Sequence, residues 1–268
     1  MTHGYFTDDS MLRRVIREYA VAFSGPRALL MMAAHPVAFA GFFAHTGALD
    51  DPYARLRRTG EVLDLIAWGQ EREHADQVTA RVRAVHATVR GAMREPAGRF
   101  PAGTPYRADD PELLLWILAS LVDSAALFYE RCVRGLSPAE REALWADYRV
   151  VGRLFGLADG DMPADWAAFR AYVDGMLSCG DLVVTDQARE LAIEIVMHPP
   201  APLLARPIVE LVNQMTIGLL PGDLRRQYGF RWDPLRGLAL RGGVEYAKRL
   251  LVPFAPGRLR YIPRARAA

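Results

Sequence analysis

In the segment DDPYARLRRTG, Arg55, Arg58 and Thr59 stand at positions i, i+3 and i+4. On a helix that spacing puts them on one face. Two guanidiniums and a hydroxyl then point the same way, a set suited to fixed carboxylates or to hydrogen-bonding a small polar group. A solvated basic face has the same spacing. Against that reading, Leu56, Val62, Leu63 and Ile66 mark much of this helix as buried. Further along, His86 sits among Val78, Val82, Val85 and Val89, at the edge of an apolar stripe. It is either a core histidine held by a hydrogen bond or a ligand through its ring nitrogen. His35, at a proline break in an apolar segment, is a second candidate ligand. His35 and His45 are ten residues apart, so they cannot form the i, i+4 pair of a helical zinc site. Glu71, Glu73 and His74 could bind a metal, but they read better as an exposed helix start, where carboxylates suit the helix dipole. There is no HExxH, no Gly-rich phosphate loop and no GxSxG.

The helices that carry these residues must turn between Gly69 and Glu73. Thr59 lies ten residues before Gly69, and His86 thirteen after Glu73. At 1.5 Å of rise per residue these are about 15 Å and about 20 Å from the turn. An antiparallel pair therefore brings His86 level with the Arg55–Thr59 turn. A histidine facing arginines across an apolar helical cleft suits a haem: His86 for the iron, arginines for the propionates, and apolar side chains against the ring. Met31, Met32, Phe39, Phe42, Phe43 and Trp116 are candidate walls.

Nearly every other segment has helical period. Asp9 or Ser10 caps a first helix that stops near Ser24–Gly25. Pro26 begins a second, to about Ala34. Pro36 disfavours helical geometry at His35 and starts a third, ending near Thr46–Gly47. Asp51–Pro52 opens a fourth, through Trp68 to Gly69, and a fifth covers Glu71 to Arg90. REPAGRFPAGTPYRADDP reads as a loop. Asp109 or Asp110 caps a long apolar helix to about Val133. Ser137, Pro138 and Glu140 form a helix start with a capping box. Further helices cover Ala164–Leu177, Asp186–Met197, Pro202–Leu219 and Leu235–Leu250, with turn signals at Pro221 and Tyr228. The last residues read as a basic, mostly irregular tail. No repeat and no convincing strand alternation is present, so the expected fold is all-α, a single multi-helix domain over residues 1–268 enclosing a haem pocket.

Composition sets the outer bounds. Half of the 268 residues are hydrophobic, which excludes a disordered chain. Thirty-three basic residues against 31 acidic ones give a net charge of only +2, which argues against nucleic acid as the main partner. Lys248 is the only lysine. Two cysteines, Cys132 and Cys179, make no disulfide framework or metal spacing, and the N-terminus does not read as a signal peptide. A reducing, cytoplasmic setting is expected. The apolar stretches Ala28–Ala44 and Leu113–Phe128 fall short of the ~20 residues of a membrane span and read as buried helices; peripheral membrane contact stays open.

Three stretches in this order, GPRALLMMAAHPVAFAGFFAHTGALDDPYARLRRTG, VRAVHATVRG and YRADDPELLLWILASLVDSA, resemble the catalytic domain shared by latex-clearing (rubber) oxygenases and the mpaB oxygenase. The resemblance covers about residues 25–177. LLPGDLRRQYGFRW extends it toward a C-terminal helical extension (178–250) and the tail (251–268). It implies an all-helical fold holding one haem b, with the proximal histidine at His86 and the polar distal motif at Arg55, Arg58 and Thr59. Rubber oxygenases carry lysine where this chain has Arg58. A guanidinium stays protonated and is a poor ligand, so Arg58 is read with Thr59 as a hydrogen-bond donor. The expected function is a haem-b-dependent, oxygenase-like oxidoreductase using dioxygen or a peroxide on an apolar small molecule. His86 is the iron ligand, Arg58 and Thr59 are catalytic, and Arg55 and His35 bind the cofactor. The alternative is a non-catalytic haem or apolar-ligand binder.

Overall fold

The computed structural model describes the backbone of residues 4–44 and 52–267, with side chains except at 43–44, 52–56 and 266–267. The chain opens with α1 (Met11–Ile16), α2 (Tyr19–Ala22), α3 (Gly25–Ala33), α4 (Pro36–Ala44), α5 (Pro52–Trp68) and α6 (Arg72–Thr88). Two short antiparallel strands follow, β1 (Arg90–Ala92) and β2 (Pro105–Arg107). Then come α7 (Pro111–Cys132), α8 (Pro138–Leu154), α9 (Trp166–Ser178) and α10 (Asp186–Leu191), the last running into a π-helical turn at Ala192–Met197. The chain closes with α11 (Arg206–Leu219), α12 (Gly222–Gln227), α13 (Pro234–Tyr246), a second π-helical turn at Ala247–Leu251, α14 (Gly257–Arg260) and α15 (Arg264–Ala267). The fold is all-α, as the periodicity predicts.

The caps sit where the sequence places them. Asp110 accepts from the Glu112 backbone N–H at 3.0 Å and starts α7. Ser137 and Glu140 close a reciprocal capping box on α8, with Pro138 in the first turn. At the α3–α4 junction Pro36 breaks the helix, and His35 becomes the cap of α4: its Nδ1 accepts from the Ala38 backbone N–H at 3.3 Å.

The apolar helix α7 is the axis of the core. Among the described residues it is the one helix long and apolar enough to cross a membrane, and 67% of that stretch is buried against other helices. Trp116 and Phe128 are fully enclosed, and the Trp116 indole donates to the Met31 carbonyl at 3.2 Å. The one charge on its inner face, Asp123, meets Arg27 of α3 at 2.8 Å. Arg27 also donates to Ser124 Oγ at 2.7 Å and to the Leu219 carbonyl at 2.8 Å. One buried guanidinium therefore ties α3, α7 and the end of α11 together.

Four expectations are corrected. The first helix is not continuous to Ser24: it breaks at Arg17–Glu18, where Glu18 is extended and pairs with Tyr261. The buried Glu18 carboxylate takes Arg260 at 2.8 Å. The tail is therefore not irregular but docked, with α14 and α15 formed and Arg264 on Asp64 at 2.9 Å. The expected long loop holds the β1–β2 hairpin, in which Gly91 faces Tyr106 so closely that a Cβ there would come within 2.5 Å of the Tyr106 hydroxyl. The turn signal at Pro221 opens α12 instead. The expected end of α4 at Thr46–Gly47 lies outside the described residues.

Candidate functional site

A cavity of about 780 Å³ lies between α3, α4, α5, α6, the hairpin, α7 and α8. That volume is typical of small-molecule and cofactor sites, roughly 300–1,000 Å³. Leu29 and Met32 of α3, Phe39 and Phe42 of α4, and Leu114, Ile117 and Leu121 of α7 make one apolar side. The polar side chains lining it, among the described residues, are Arg58, Thr59, His86, Tyr106 and Arg107. So α5 and α6, packed side by side, do bring His86 to the same cavity as Arg58 and Thr59.

His86 sits in the last turn of α6 and is half-buried, with its Nδ1 sealed from solvent. The helix ends just past it: the Val89 backbone N–H donates to the His86 carbonyl at 3.1 Å, and Val89 turns extended into β1. Side-chain bonds steady α6 along its length. Thr79 Oγ1 donates to the Ala75 carbonyl at 2.8 Å, and Arg83 donates to the Leu154 carbonyl at the end of α8. A basic group at a helix C-terminus is favoured by the dipole.

Arg58 and Thr59 are solvent-exposed even as they line the cavity, and so is Val85 beside His86. This places them at an open mouth rather than in a closed interior. The backbone of Arg55 continues the same helix, but its side chain lies outside the described residues. Of the expected wall residues, Met32, Phe39 and Phe42 face the cavity. Met31 and Trp116 are fully buried in the core instead, and Phe43 lies outside the described side chains. Glu71, Glu73 and His74 form an exposed start to α6. Among the described residues no group of three or more His, Cys, Asp or Glu side chains could hold a metal ion.

His35 is not brought to this cavity. It lines a second one of about 540 Å³ with Arg99, Phe100, Tyr172 and Asp181. Val37 and Leu113 border both cavities and form the partition. Burial holds the His35 imidazole below the ordinary histidine value, against the opposing pull of the Asp181 carboxylate. With Nδ1 accepting from Ala38, His35 is a neutral helix cap facing a separate space.

Two polar lining residues escaped the sequence reading, Tyr106 and Arg107 of β2. Tyr106 is buried, and Arg107 pairs with Asp109 at 3.3 Å at the cavity edge. Their segment was legible only as loop, because three-residue strands are too short to show alternation.

Residues 13–249 match the family described as ER-bound oxygenase mpaB/B'/Rubber oxygenase, catalytic domain. The chain belongs to this family. The match is wider than the resemblance visible in the sequence, reaching from α1 to the second π-helical turn. Two mycobacterial proteins are similar to this oxygenase-family chain: the uncharacterized protein Mb2261 of Mycobacterium bovis and the uncharacterized protein Rv2237 of Mycobacterium tuberculosis. Each is 26% identical over 186 residues, covering 68% of this chain and 68% of the relative. No solved structure matches the chain.

Proposed function

We propose that this member of the oxygenase family is a haem-b-dependent oxidoreductase acting on an apolar small molecule, with His86 as the iron ligand. The observation that carries the reading is the meeting of His86, Arg58 and Thr59 on one largely apolar cavity of about 780 Å³. The residues fit the group. A single histidine is a sufficient protein ligand for haem iron. Arg55 is the arginine proposed for a propionate carboxylate, and Arg107, paired with Asp109, places a further guanidinium at the margin. The wall from α3, α4 and α7 is apolar, as the faces of a macrocycle and an apolar substrate require. Bound haem would supply the redox chemistry for dioxygen or a peroxide. His86 would hold the group through a ring nitrogen as the neutral imidazole. Thr59 would offer an O–H and Arg58 an N–H donor, and Phe39, Phe42 and Ile117 would bind substrate and exclude water.

The exposure of Arg58 and Thr59 favours a second reading, a non-catalytic haem or apolar-ligand carrier, because donors in water stabilise developing charge less than buried ones. Expression with ample haem tests both. The proposal expects a coloured protein with a Soret band, lost in His86→Ala and kept in His35→Ala. A colourless protein that takes up no added haemin, or an unchanged band in His86→Ala, overturns it. Thr59→Val keeps shape and removes only the hydroxyl. Changed oxygen consumption with an apolar alkene at equal haem content supports the oxygenase; no consumption by either protein leaves the carrier.

A further inference from the structure

The C-terminal helices carry an unusual surface. Residues 203–268 hold twelve basic residues and four acidic ones, a net charge of +8, so residues 1–202 carry −6 within a chain of +2. The same region leaves large apolar side chains in water. On α11 and the turn before it Leu204 is 94% exposed, and Ile208 and Leu211 are also exposed. On α13 and its π-helical turn the exposed set is Leu235, Leu238, Tyr246 and Leu250, followed by Phe254 at 80%. The spacing in each set is three or four residues, or a multiple of four through Gly242, so each helix turns an apolar stripe outward. The two helices pack together through Gly218, where a Cβ would meet Leu240 at 2.3 Å and Trp232 at 2.6 Å. Isolated exposed leucines need no explanation, but adjacent stripes on neighbouring helices mark an interaction surface.

We propose that α11, α13 and the residues through Leu259 form a docking surface for an anionic phospholipid bilayer. The charge decides the partner. Arg206, Arg231, Arg241 and Arg258 are exposed and make no ion pair among the described residues. Arginines beside exposed Leu, Phe and Tyr are the composition of a segment that lies in a lipid interface, with apolar groups in the acyl boundary and cations at the phosphates. A second copy joined by a two-fold axis would set this basic region, +6 once Arg260 and Arg264 are matched by Glu18 and Asp64, against its own image, which opposes self-association through this face. Bare nucleic acid would complement the charge but leave the leucines wet.

Sedimentation of the purified full chain with vesicles tests this. Vesicles of equal parts phosphatidylcholine and phosphatidylglycerol are expected to bind it at least tenfold more tightly than pure phosphatidylcholine, and added salt should weaken the binding. Leu235→Ser with Leu238→Ser should lower partitioning about tenfold or more at an unchanged thermal midpoint, since both side chains are exposed. Arg241→Glu with Arg258→Glu keeps the leucines and should lower it by a further test of charge, at least about fivefold per position. The proposal falls if anionic vesicles leave the protein in the supernatant at low salt, or if the leucine pair changes nothing. It falls equally if the chain is a dimer that the leucine pair dissociates, or if duplex DNA binds more tightly than vesicles.

Discussion

Asp123→Asn is expected to loosen the wall on which the cavity is built. Asp123 lies on α7 with a side chain 10% exposed, and its partner Arg27 on α3 is 4% exposed. Burial pulls the Arg27 guanidinium below its ordinary value, and the Asp123 carboxylate opposes that shift without cancelling it. Removing one partner of a buried pair costs about 3–5 kcal/mol, because the remaining charge is left uncompensated. Here Arg27 keeps its bonds to Ser124 and Leu219, so about 3 kcal/mol is the appropriate end of that range. Arg170, also on Asp123, is 38% exposed and keeps Asp174 at 3.0 Å, so it adds at most about 1 kcal/mol. For a chain of this size 1 kcal/mol shifts the midpoint by about 2–4 °C, so about 3–4 kcal/mol in all should show in calorimetry as a fall of about 6–16 °C. Arg170→Ala should fall by no more than a few degrees. An Arg27→Met, Asp123→Leu double variant should recover most of the loss, since well-packed apolar replacements of buried pairs are often neutral. A shift under 2 °C for Asp123→Asn would refute the view that this pair, rather than the surrounding apolar packing, fixes α3 on α7.

Glu140→Gln should flatten the acid limb of stability. Arg134 and the Ser137 backbone N–H hold the Glu140 carboxyl down to about 2 against an ordinary 4.5, so its contribution is complete above the ordinary value and lost as pH falls toward about 2. A pH series of thermal midpoints with the same slope in both proteins below pH 4.5 would count against it. Maleimide should label one thiol in the folded chain and two after denaturation: Cys179 is exposed, while Cys132 is buried with its thiol pushed up to about 11; rapid labelling of both would be the contrary result. Gly91→Ala should destabilise by about 1–3 kcal/mol, because the new Cβ displaces the Tyr106 ring that lines the cavity; an unchanged midpoint would mean the hairpin yields freely.

The parts of this fold that were legible depend on local chemistry. Pro26, Pro36, Pro52, Asp110 and Ser137 mark helix starts that the structure reproduces within a residue or two. The placing of His86 opposite Arg58 and Thr59 needed only helical rise and a turn of known position. What was illegible depends on distant partners. The break at Glu18 has its cause in Arg260 and Tyr261, some 240 residues away in the chain, and nothing near Glu18 in the sequence signals it. Met31 and Met32 are equally apolar neighbours, yet one is core and the other faces the cavity. Successive residues differ by about 100° around a helix, so the choice rests on how α3 is rotated against α7, where the Arg27–Asp123 pair and the Trp116 bond to the Met31 carbonyl join them. His35 shows a correct signal with a different consequence. The proline does break the helix, and the break turns the imidazole into a cap rather than sending it to the main cavity.

The two sides of the main cavity are built differently, and that separates effects on packing from effects on a bound molecule. The apolar side comes from α3, α4 and α7, the helices that also carry the buried Trp116 and the Arg27–Asp123 pair. The polar side comes from α5, α6 and β2, where Arg58, Thr59 and Val85 are open to water. Substitutions on the first side, such as Ile117→Ala, change core packing and apolar ligand affinity together, because the same atoms supply both. Substitutions at Arg58 or Thr59 touch little packing, so their effects on stability should be small. Loss of function at these two positions with stability intact would therefore report on what they present to a bound molecule, and not on the fold that carries them.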